Sequence, residues 1–192
     1  MTISNGFYVT LKSVIFLVIA AVLFFMQNET GQIFVGALLI GAGIISLLFA
    51  FANQIIKAIA MRNYMNAGLE ILTGIAMFFL GSLEYKATGI LAFFFVCLAG
   101  AQLAFSLFSS YSWIRSNKVL SITRLLAPLL AVIPAGLILG NYFSSKWGIN
   151  SEYMIIAIMF IITAIFNIYF IGLQSKLNYD REYPELNKTH HS

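Results

Sequence analysis

Long apolar runs broken by short polar stretches dominate this chain. Six runs, at about 7–26, 32–52, 65–83, 88–110, 122–142 and 152–174, reach the ~20 residues that a helix needs to cross about 30 Å of hydrocarbon. Each is predicted to be helical, because lipid offers no partner to an exposed backbone N–H or C=O. The third is the most interrupted, by Asn66, Glu70 and Thr73. The first resembles the apolar stretch of a signal peptide. Gln27-Asn28-Glu29-Thr30 contains no small-x-small cleavage pattern, however, and the next run follows at once, so a retained span is expected. The stretch 178–192 turns charged and polar, holds Pro184 and predicts a short cytoplasmic tail.

A second pattern lies inside the even runs. With Ser46, Gln102 and Asn167 set in register, Gly36, Ala92 and Ala157 align ten positions earlier. Gly43, Ala99 and Ala164 align three positions earlier, and Phe49, Phe105 and Phe170 three later. Small residues at helical spacing let backbones approach closely in lipid, where one polar group per helix can bond across the contact. The expected fold is therefore all-α: a polytopic membrane protein whose six transmembrane helices form three parallel hairpin repeats over residues 1–177. In the fifth run Pro128 and Pro134 predict kinks, and Gly136-x-x-x-Gly140 is a further close-packing signal.

Composition removes the soluble alternatives. Of 192 residues, 60% are hydrophobic and 9% charged, where soluble domains carry roughly 25% charged residues. The net charge of +4 matters less than its placement. Of the basic residues, Lys86 and Lys146 fall in one set of loops. The other nine (Lys12, Lys57, Arg62, Arg115, Lys118, Arg124, Lys176, Arg181 and Lys188) fall on the opposite side. The positive-inside rule then puts both termini in the cytoplasm. No basic run interleaved with aromatics suggests nucleic-acid binding. Cys97 is the sole cysteine, which excludes a disulfide within the chain.

Ionisable groups inside spans are rare and point first to function. Glu70 is the leading candidate, about 9 Å below the cytoplasmic interface at ~1.5 Å per residue. Arg124, Ser46, Gln102 and Asn167 are expected in the same layer. Such a layer suits a proton relay or cation site. It also suits a structural pin in which Glu70 pairs with Arg124 or an amide, or a carboxylate reaching toward headgroups. Glu29, Glu84 and Glu152, one per outer loop, read as solvated carboxylates that acid would neutralise. His190 and His191 lack a third ligand for a metal. No nucleophile–base pair, phosphate-cradling loop or haem motif is present, so neither catalysis nor a cofactor is expected.

Val35-Gly36-Ala37-Leu38-Leu39-Ile40, then Gly43-Ile44 and Ala50-Phe51-Ala52-Asn53, closely resemble the second span of HdeD-type acid-resistance membrane proteins. The likeness in layout covers most of the chain, with weaker echoes in the fourth and sixth runs. It implies a multi-pass protein of the bacterial inner membrane, associated in some members with survival at low pH. The first functional expectation is a small non-enzymatic membrane protein supporting acid or envelope stress tolerance, in contact with lipid and with a second copy or a membrane-protein partner. The alternative is a small transporter or channel with a proton- or cation-linked site around Glu70.

Overall fold

The computed structural model describes residues 5–52, 57–80, 84–109 and 130–182. All the regular structure there is helical: α1 (Asn5–Phe25), α2 (Glu29–Ala52), α3 (Lys57–Leu80), α4 (Glu84–Ser109), α5 (Leu130–Leu139), α6 (Tyr142–Trp147) and α7 (Ile149–Glu182). Among the described residues, Gly6–Phe25, Glu29–Ala52 and Ile149–Tyr169 are long and apolar enough to cross a membrane. Ala87–Ala101 and Leu130–Leu139 are shorter apolar helices. The composition and these helices define a helical membrane protein.

Helix bounds differ from expectation in three places. α3 begins at Lys57, eight residues before the expected start, because Ala58 to Met65 contains no helix breaker. α7 continues through Glu182, into the stretch read from sequence as tail. The fifth helix stops at Leu139, and Tyr142–Trp147 forms a short helix where a plain loop was expected. Gly140 and Asn141 make the break, Asn141 with φ 55°, a left-handed conformation that asparagine tolerates better than most residues. Pro128 lies outside the described residues. Pro134 lies within α5.

The α1–α2 turn is tight for a local reason. Asn28 Oδ1 accepts the Gly31 N–H at 2.9 Å, an N-cap contact that satisfies one orphan donor of α2. Any side chain at Gly31 would run into the Met26 carbonyl.

Around the bundle, α1 packs on α2, α2 on α3, α3 on α4, α4 on α7 and α7 back on α1. The most extensive interfaces are α2–α3 and α1–α7, rather than the α1–α2 hairpin. On α2, residues Gly31, Gln32, Val35, Gly36, Leu39, Ala42, Gly43, Ser46, Phe49 and Ala50 are buried, the stripe expected of a helix with one packed face. Gly36 and Gly43 sit where backbones nearly touch. A Cβ on Gly36 would lie 3.0 Å from the Gly74 carbonyl, and one on Gly43 would lie 3.0 Å from the Ala67 carbonyl. Ala92, Ala99, Ala157 and Ala164 are all buried. The Gly136–Gly140 pair behaves differently: both residues are exposed, and a Cβ on Gly136 would meet nothing within 4 Å. Its spacing does not mark a close contact among the described residues.

Between the ends lies an aromatic core. Phe160 of α7 meets Phe16 of α1 at 5.4 Å and Phe95 of α4 at 4.8 Å, both edge to face, the arrangement that ring quadrupoles favour.

Glycine at the α2–α3 crossing is a testable requirement. A Cβ on Gly74 would lie 2.6 Å from the Gly36 carbonyl and 3.0 Å from the Ile40 nitrogen, whereas one on Gly68 meets nothing. Overpacking of this kind costs about 1–3 kcal/mol. Gly74→Ala is expected to lower the melting temperature in detergent by several degrees and Gly68→Ala to leave it nearly unchanged. Thermal unfolding of the two variants checks this.

Candidate functional site

Tyr8, Lys12 and Phe16 recur every four residues, so α1 presents all three on one face. Tyr8 and Lys12 on that face meet the C-terminal half of α2 at Ser46 and Phe49, and α3 at Asn63 and Glu70. Lys12 Nζ forms an ion pair with Glu70 Oε1, and both side chains are almost wholly removed from solvent. Ser46 joins the two groups: its hydroxyl donates to Glu70 Oε2 at 2.8 Å and accepts from Lys12 Nζ at 3.2 Å. Tyr8 OH also donates to Ser46 Oγ, at 2.9 Å, with Asn63 Oδ1 3.4 Å from the same hydroxyl.

Aromatic rings wall this cluster. Tyr8 stacks on Phe49 at 4.1 Å, and Lys12 Nζ stands 5.8 Å and 5.7 Å from the Tyr8 and Phe16 ring centroids. Removing a charge from water costs several kcal/mol per ion, offset only when pairing and hydrogen bonds are both in place. Here both are. The cluster links α1, α2 and α3 at the end of the bundle that carries the N-terminus.

Of the residues expected in one polar layer, Glu70 and Ser46 come together. The partner of Glu70 is Lys12, which sequence reasoning had treated as a flanking basic residue. Arg124, proposed as partner, lies outside the described residues, as does the Gln102 side chain. Asn167 is elsewhere: with Ala99, Pro134 and Thr163 it lines a cavity of about 200 Å³ between α4, α5 and α7.

A second polar cluster occupies the opposite end. Glu152, expected as a solvated loop carboxylate, is buried. Thr88 Oγ1 donates to its Oε2 at 2.7 Å and the Ser144 N–H to its Oε1 at 3.2 Å. The expectation fails because α6 packs on α7 and brings the Ser144 N–H to the carboxylate, while Thr88 of α4 supplies the other donor. Glu29, expected in a loop, is the first residue of α2 and is exposed. Nearby, Gln32 Nε2 donates to Tyr153 OH at 2.7 Å. Cys97 is partly buried, and the described residues contain no group of three or more acidic, histidine or cysteine side chains able to hold a metal ion.

No protein-family model, curated protein or solved structure matches this chain. The class reached is the one the helices define, a helical membrane protein.

Removing one member of a buried pair strands the other charge, at a cost of about 3–5 kcal/mol, while an apolar replacement of both is often tolerated. Lys12→Met and Glu70→Met are each expected to destabilise strongly, and the double variant to be more stable than either single. A double-mutant cycle on thermal unfolding checks this. Tyr8→Phe removes one neutral hydrogen bond and is expected to cost about 1 kcal/mol in the same assay.

Proposed function

We propose that this chain is a non-enzymatic, multi-pass protein of the bacterial inner membrane that supports tolerance of acid or envelope stress through its helix bundle and the contacts that bundle makes. In this reading six spans form three parallel hairpins and both termini are cytoplasmic. The nine-to-two division of basic residues supports the orientation. The resemblance of α2 to HdeD-type proteins supports the link to acid.

One observation carries the structural role: Glu70 is wholly buried and closed off by Lys12, Ser46 and the aromatic wall. Neither the α4–α5–α7 cavity nor the groove between α3, α4 and α5 includes Glu70 in its lining. A sealed, paired carboxylate acts as a pin between helices.

A second reading, a proton-linked intramembrane site, is favoured by one feature. Tyr8 OH, Ser46 Oγ and Glu70 Oε2 form an unbroken chain of hydrogen bonds.

The two readings separate in paired assays. A deletion strain is expected to survive an acid challenge less well than wild type, and a Glu70→Gln strain to follow the amount of folded protein it retains. Vesicles containing the wild-type chain are expected to show no proton flux above empty vesicles. Flux that disappears in Glu70→Gln would replace the first reading with the second, and a deletion strain indistinguishable from wild type would remove the stress role.

A further inference from the structure

The cavity of about 200 Å³ between α4, α5 and α7 runs from the surface of the bundle to its core. Ile158 and Ile162 stand exposed at its rim, whereas Phe95, Ala99 and Met159 of its lining are buried. Size narrows the choice of occupant. Apolar cavities of about 150 Å³ take up a benzene ring and stay free of water, so this one has room for a single ring with a small substituent. A whole phospholipid is far too large.

The chemistry of the lining narrows it further. Each described lining side chain is uncharged, and moving a charged molecule between apolar helices costs far more than moving a neutral one. Phe95, Phe166 and the Met159 thioether suit an aromatic guest, because rings pack edge to face on one another and against sulfur. Two polar side chains join them. The Thr163 hydroxyl donates to the Met159 carbonyl at 2.8 Å, which commits its hydrogen. Asn167, one turn further along α7, brings an amide able both to donate and to accept. On α5, Pro134 has no N–H to give the Leu130 carbonyl, and both residues belong to the lining.

A ring-sized, uncharged, mainly apolar cavity with one amide in its wall is complementary to a neutral aromatic molecule bearing a hydroxyl. We infer that this cavity binds a small uncharged phenol, its ring against Phe95, Phe166 and Met159 and its hydroxyl bonded to the Asn167 amide. Such a site goes beyond the stress-tolerance reading and stands whether that reading holds or fails.

The test is fluorine NMR of the purified full chain in detergent, titrated with para-fluorophenol or its near-isostere para-fluorotoluene. Protein-free micelles supply the background for probe dissolved in detergent. The wild type is expected to bind para-fluorophenol saturably. Ala131→Phe, which adds a ring to the α5 wall of the cavity, should abolish saturable binding of both probes. Asn167→Leu is close in volume but lacks the amide. It should weaken para-fluorophenol binding by at least about fivefold, the loss of one neutral hydrogen bond, and leave para-fluorotoluene no weaker than in wild type. Three results would each overturn the proposal: no saturable para-fluorophenol binding by the wild type, undiminished binding in Ala131→Phe, or an Asn167→Leu variant that keeps its para-fluorophenol affinity or loses affinity for both probes alike. Circular dichroism and size-exclusion profiles matching wild type qualify each variant, with Ala131→Leu and Asn167→Val as substitutes for one that misfolds.

Discussion

Hydrocarbon cannot solvate a polar side chain, so whatever polarity a helix brings into the bundle must be answered by another helix. In this chain the demand is greatest at Lys12 and Glu70, opposite charges on α1 and α3 that are both buried. Their pairing, with Ser46 of α2 bonded to each, ties three helices into one register. A shift of any of the three along its axis would strand a charge. The helical periodicity of the apolar residues sets which faces meet; the ion pair sets where along those faces they stop.

Close backbone approach makes that pairing geometrically available. Ser46 is short, and its hydroxyl reaches Glu70 at 2.8 Å because Gly36 and Gly43 bring α2 nearly against the α3 backbone. The opposite end repeats the principle with neutral donors: Thr88 of α4 and the Ser144 amide converge on Glu152 of α7, and Gln32 of α2 bonds Tyr153. Between the two polar ends, the Phe16, Phe94, Phe95 and Phe160 rings fill the interior without a polar atom.

The parts of this arrangement visible from sequence are those that follow from local periodicity. The Gly36/Gly43 stripe and Ser46 identify the packed face of α2, and Glu70 stands out because an acidic group in an apolar run demands an explanation. Lys12 was misjudged because loop-charge counting treats every basic residue near a span end as an interfacial marker. Its position four residues after Tyr8 and four before Phe16 was the available signal, since that places it on the buried aromatic face of α1. Glu152 was misread for a tertiary reason: its burial depends on α6 folding back over α7, and the break that allows this turns on Asn141 adopting φ 55°. The Gly136–Gly140 spacing shows the converse, a motif whose residues stand exposed.

The central claim is that the charges of Lys12 and Glu70 hold α1 and α3 together by direct contact. Exchanging them tests it most directly, by comparing the melting temperatures of Lys12→Glu, Glu70→Lys and the combined exchange in the same detergent. Each single reversal opposes like charges in the bundle interior, and the account predicts marked loss of stability in both, with much of it regained in the combined exchange. A combined variant no more stable than the worse single would contradict the account.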